Sequence, residues 1–140
     1  MNTLMRLISI YAKLSDIKKH ITYFTTREGI TISDYINQRN QYGETPLMIA
    51  VRHGGYRLVK FLLDAGADVN KQSNSGRTAL IIAVSQGNIK LVELLLKYNA
   101  SINLLCISGY DALHFAKLYN SSKKALFIEK LFDNSRTTVL

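Results

Sequence analysis

The fold class this sequence predicts is an all-α solenoid of about four helix-turn-helix repeats, with projecting hairpin loops and irregular terminal caps. Three observations predict it. Gly43, Gly76 and Gly109 stand 33 residues apart. Residues 40–72 and 73–105, laid over each other, share thirteen identities, among them Thr45/Thr78, Leu47/Leu80, Ala50/Ala83, Leu62/Leu95 and Asn70/Asn103. Within each unit the apolar residues fall at helical spacing in two short runs. A unit of this length cannot bury its apolar face alone, so stability comes from stacking about three units or more.

The elements follow in order along a single repeat domain, residues 1–140, divided as 1–39, 40–72, 73–105 and 106–140. In the N-terminal cap repeat, residues 4–14 and 16 to about 25 read as helices divided at Ser15-Asp16. Ile36-Asn37 lies 33 residues before Val69-Asn70, so the first loop is in register, and matching Ala12 to Ala50 or Val51 leaves about five extra residues within 27–34. In the second repeat Thr45 is a helix N-cap and Pro46 a first helical residue, where a missing N–H costs nothing. Leu47, Ala50 and Val51 make one helical face, and Ala50 is small enough to admit a close neighbour. Gly54-Gly55 ends that helix, Leu58, Val59, Leu62 and Leu63 pattern a second, and Gly66 closes it. Residues 69–76, with Asn, Ser and Gly at close spacing, suit a projecting hairpin loop. The third repeat copies this plan. In the fourth, Asp111 replaces the capping Thr, and Phe127-Ile128 through Leu131-Phe132 matches residues 58–63 with three added residues around 120–123.

The string Gly43-Glu44-Thr45-Pro46-Leu47-Met48-Ile49-Ala50, answered by Gly66-Ala67-Asp68-Val69-Asn70, resembles the ankyrin repeat. The resemblance implies a non-enzymatic module that binds a partner protein on a concave surface lined by loops (fingers) and first helices. Carried over by position, that surface comprises Gln41, Tyr42 and Glu44 with Arg52 and His53, then Asn74, Ser75 and Arg77 with Ser85 and Gln86. The last repeat supplies Ile107, Ser108 and Tyr110 with Leu118 and Tyr119. These positions vary between repeats while the framework does not, and Tyr and Arg are enriched among interface hot spots. For Leu118 and Tyr119 the alternative is packing into the cap. His114 holds the family's Thr-Pro-Leu-His position, implying a structural hydrogen bond, and Met48 and Ile81 replace it in the middle repeats. Asn70 resembles the asparagine that the oxygen-sensing asparaginyl hydroxylase modifies in such repeats; the structural alternative is that Asn37, Asn70 and Asn103 tie the finger backbone. The terminal Thr138-Val139-Leu140 looks like a PDZ-domain ligand.

Composition narrows the function classes. The net charge of +8 is spread out, with basic and acidic residues numbering 6 and 3 in 1–39, 4 and 3 in 40–72, 3 and 1 in 73–105, and 5 and 3 in 106–140. Lys60, Lys90, Lys97, Lys18, Lys19, Lys123 and Lys124 read as solvated outer faces, with a general preference for acidic partners. Basic residues and stacking aromatics are not concentrated together, so no nucleic-acid partner is expected. With no apolar run of membrane-spanning length and no secretory signal pattern, the expectation is a cytoplasmic monomer, in a host cytosol if it is a microbial or viral effector. Cys106 is the single cysteine, which agrees with a reducing compartment.

No catalytic, cofactor or metal constellation is visible, and His20, His53 and His114 fall in three different repeats. The expected role is adaptor, inhibitor or effector. Two alternatives stay open: an enzyme or small-ligand-binding protein with a site between repeats, and a self-associating structural repeat. For the latter, Phe127, Leu131 and Phe132 would furnish an end patch, although their match to Leu58, Leu62 and Leu63 favours burial.

Overall fold

The computed structural model describes residues 3–10 and 12–137, and among these are nine α-helices and no strand. In chain order they are α1 (Thr3–Ser9), α2 (Leu14–Glu28), α3 (Ile32–Ile36), α4 (Pro46–Arg52), α5 (Tyr56–Asp64), α6 (Ala79–Ser85), α7 (Ile89–Lys97), α8 (Ala112–Tyr119) and α9 (Ser122–Thr137). The first helices form one row, α1 on α4, α4 on α6 and α6 on α8. The second helices pack behind them, α5 beside α7 and α7 beside α9.

The same local chemistry starts each first helix. Thr45 Oγ1 accepts the Met48 N–H at 3.3 Å, Thr78 Oγ1 the Ile81 N–H at 3.2 Å, and Asp111 Oδ1 the His114 N–H at 2.9 Å. Each cap satisfies one of the donors that a helix start leaves orphaned. A continuous apolar interior then runs from Leu4 to Phe132. Ala50, Ala83 and Ala116 are each fully buried, and their small side chains let neighbouring first helices approach closely.

Both caps depart from the sequence reading. The first helix ends at Ser9 and the second begins at Leu14, so the chain does not divide at Ser15-Asp16. Lys13 is the extended capping residue, and Ser15 and Asp16 lie in the first turn of α2, where an acid suits the helix dipole. Helix α1 precedes α4 by 43 residues, so the insertion is ten residues rather than five. It is taken up by the longer α2 and by α3, a helix that the repeat pattern does not predict. Helix α3 has its own cap: Thr31 Oγ1 accepts the Asp34 N–H at 3.0 Å and donates to Asp34 Oδ2 at 2.7 Å.

At the other end, no residues are added before α9, whose start is two full periods after that of α5. Ile128 therefore occupies the position of Leu62 and Leu95, and all three are at 0% exposure. Phe132 reaches the core one turn later because α9 is longer, whereas Phe127 is 47% exposed, against the burial expected of it. The outer face of the fourth repeat is polar where the inner repeats are apolar. Lys117, in register with the buried Val51 and Val84, is exposed and paired with Glu129 at 3.0 Å. His114, in register with buried Met48 and Ile81, is likewise exposed.

Candidate partner-binding surface

The fingers are tight turns joined into a ladder. Gly43, Gly76 and Gly109 each donate a backbone N–H to the residue three before, at 2.8–2.9 Å. Neighbouring fingers then bond to each other: Asn74 N–H to Tyr42 O at 2.9 Å and Ile107 N–H to Ser75 O at 3.0 Å. Side chains add rungs one period apart, Arg39 Nη2 to Gln72 O at 2.7 Å and Gln72 Nε2 to Leu105 O at 2.9 Å. The result is a finger row tied from one repeat to the next by hydrogen bonds.

Several residues assigned to the surface by position also work inside the array. Asn74 Nδ2 donates to Gln41 O at 3.0 Å, Gln86 Nε2 to Arg52 O at 2.7 Å, and Ser85 Oγ to Ile81 O at 2.7 Å. Ser75 Oγ shares a hydrogen bond with Ser73 Oγ. Arg52 is ion-paired with Glu44, which Asn40 Nδ2 also contacts at 3.1 Å. Burial pushes the Glu44 carboxyl up, but the Arg52 and Asn40 hydrogen bonds and the Arg52 charge outweigh it and hold the group below its ordinary range. His53 is half-buried at the end of α4, while Gln41 and Tyr42 are exposed on the first complete finger.

The fourth repeat is different in character. Ile107 is 79% exposed, Leu118 58% and Tyr119 57%, so Leu118 and Tyr119 face outward rather than packing into the cap. Tyr110 stacks flat on His114 with ring centroids 3.8 Å apart, replacing the hydrogen bond implied for that histidine. Tyr119 stacks on Phe115 at 5.8 Å, and the Arg77 guanidinium lies 5.2 Å from the centre of the same ring. Such a contact holds the cation over an aromatic face without neutralising it. Arg77 has no carboxylate within ion-pair distance among the described residues. Ser108 is exposed at the tip beside Ile107.

Sequence reasoning missed Phe115, the platform between Arg77 and Tyr119, and Leu105, exposed on the third finger. Part of the signal was there: Phe115 and Tyr119 are four apart on α8, the spacing that brings side chains together along a helix, whereas Tyr110 reaches His114 from just before the N-cap Asp111.

Asn37 and Asn70 tie successive repeats, Asn37 Oδ1 accepting the Asp68 N–H and Asn70 Oδ1 the Ser101 N–H, both at 2.7 Å. Asn103 makes no such side-chain bond among the described residues, because the matching position in the fourth repeat lies inside the long helix α9 and not in a turn. Cys106 lies buried under the third finger. Burial pushes its thiol up, and hydrogen bonds from the Tyr110 and Ser108 region, with the Arg77 charge, bring it below its ordinary value. His20 hydrogen-bonds the Tyr35 hydroxyl at 2.8 Å. Among the described residues no group of three or more His, Cys, Asp or Glu side chains is placed to hold a metal, and no helix is long and apolar enough to cross a membrane. The C-terminal Thr138-Val139-Leu140 lies outside the described residues.

A comparison with curated proteins finds no match. A family model described as ankyrin repeats, three copies, matches residues 10–73 and 47–137. Ankyrin repeats are in general protein-protein interaction modules. With its helical hairpins, hydrogen-bonded fingers and this match over most of its length, the chain belongs to the ankyrin repeat family.

Proposed function

We propose that this chain binds a partner protein on its finger and first-helix surface and performs no reaction itself. The observation that carries the reading is the packing of exposed Tyr110 and Tyr119 around Phe115, whose ring also carries Arg77, a cation without a carboxylate partner among the described residues, with Ile107 and Leu118 exposed in the same repeat. Exposed apolar and aromatic area of this kind, rimmed by polar residues, suits an interface better than a solvated surface. Tyr42, Gln41 and Ser75 extend the contact along the finger row, and the Glu44–Arg52 pair forms a polar edge. Arg77 favours a partner segment that brings a carboxylate, set among apolar side chains that meet the tyrosines. The module acts as a monomer in the cytosol, as adaptor, competitive inhibitor or host-directed effector.

The test is a triple variant, Arg77→Ala with Tyr110→Ala and Tyr119→Ala, compared with wild type for the partner recovered from cytosol. Binding is expected to weaken by about a hundredfold or more, with helical content unchanged. Undiminished binding by the folded variant would overturn the assignment.

A further inference from the structure

We propose a second interaction surface, on the opposite side of the stack, that takes an acidic polypeptide segment in the groove between α5 and α7. It is independent of the finger surface. Three cations recur one period apart at the second residue of successive second helices: Arg57 on α5, Lys90 on α7 and Lys123 on α9. All three are exposed, and none has a carboxylate within ion-pair distance among the described residues.

The fold does not require them there. The first turns of these helices contain no acid, although the helix dipole favours acids and disfavours cations at that end. A column of basic residues set against the local field is costly for an isolated array and favourable toward an anionic partner.

The groove beside the column gives that partner a place to lie. It is a cleft of about 510 Å³ lined by Tyr56, Arg57, Lys90, Glu93, Leu94 and Lys97. Leu94 is only 5% exposed, and Tyr56, 45% exposed, supplies an aromatic wall. Three cations line it against one acid, Glu93. The other acid on these two helices, Asp64, is engaged by Lys60 at 2.7 Å and by the Tyr98 hydroxyl, and lies near Lys97. The unbalanced charge therefore faces the groove and the Arg57 side.

A polypeptide is favoured over nucleic acid because one tyrosine is no stacking platform for successive bases. It is favoured over a lipid surface because the groove is walled by charge and carries no exposed aliphatic anchor for insertion. Glutamate and aspartate side chains of an extended or helical segment would meet Arg57, Lys90 and Lys97, with one apolar side chain against Tyr56 and Leu94.

The probe is a labelled oligoglutamate peptide with one central leucine, titrated by anisotropy at low and physiological salt. Parallel titrations use phosphatidylserine vesicles and single-stranded RNA. Saturable peptide binding is expected, weakened roughly tenfold or more by Arg57→Glu with Lys90→Glu. A charge-matched control, Arg6→Glu with Lys19→Glu, should weaken it far less, and the Arg77, Tyr110 and Tyr119 triple variant should bind the peptide like wild type. Equal losses in the two charge-reversal variants would reduce the effect to net charge and overturn the proposal, as would preference for vesicles or RNA. If the finger-surface variant kept its cytosolic partner while the groove variant lost the peptide, the finger reading alone would fail.

Discussion

Gly76 shows how tightly the finger row is built. Its φ of 76° is in the left-handed region, and a Cβ added there would stand 2.7 Å from Cys106 Cα and 2.9 Å from the Ile107 nitrogen, both backbone atoms of the next finger. Gly109 has a similar φ of 78° with nothing within 4 Å of its would-be Cβ. Gly109→Ala should therefore cost about 1 kcal/mol, for backbone strain alone, and Gly76→Ala clearly more, because the neighbouring finger must also move. Equal losses in chemical denaturation would show that the fingers separate easily. Glu44 supplies a pH-dependent counterpart. Its carboxyl is held below the ordinary value, so the folded chain binds fewer protons there than the unfolded chain does. Its stabilisation is complete above the unfolded pKa and fades as pH falls through the folded one. Glu44→Gln is expected to flatten the acid side of the stability profile between about pH 5 and about pH 3. A profile as steep as that of wild type would mean that solvent screens the Arg52 pair.

At the scale of elements, helix starts and apolar faces carry most of the energy. Leu62 and Leu95 are at 0% exposure, and replacing either by Ala should cost about 2–5 kcal/mol through lost burial and the remaining cavity. Thr78→Ala, which removes a cap and one small buried methyl group, should cost about 1–2 kcal/mol. If the cap change matched the core change in urea midpoints, packing between repeats would not be the main source of stability. These elements were legible because identity at a fixed period marked both their starts and their buried faces. The ends were not, for the same reason. Without a second copy to compare, Ser15-Asp16 resembled a cap although Lys13 held that place. Apolar residues of α9 were aligned by type, although the helix simply runs past the end of its counterparts. The Thr31-Asp34 reciprocal cap of α3 could have been found, but it lies in an insertion that has no repeat to mirror it. On the candidate surface, position alone could not tell Asn74 and Gln86, which bond to the preceding repeat, from Tyr119, which bonds to nothing beyond its own repeat. The 33-residue spacing of Arg57, Lys90 and Lys123 was present in the chain, but lysines on second helices read as solvated until the groove between them was visible.

Across the whole molecule, one apolar interior links α1 to α9, and the fingers are joined by backbone and side-chain bonds in the same direction. Each repeat contacts its neighbours, so stability is a sum of unit and interface contributions passed along the row. Opening any internal interface of these four repeats exposes Leu or Val side chains on both sides of it. The fourth repeat places Lys117, Glu129 and His114 where inner repeats hold buried or half-buried apolar residues, and it also presents the aromatic group assigned to partner contact. Loss of an internal side chain should therefore be felt at both ends. Leu95→Ala is expected to lower hydrogen-exchange protection in α4 and α5 by nearly as much as in α6 and α7, and denaturation should remain one transition with an unchanged slope against urea. Loosening confined to α6 through α9, or a second transition, would instead divide the array into two units. The finger surface, with Tyr42 in one and Tyr119 in the other, would then no longer be rigid between them.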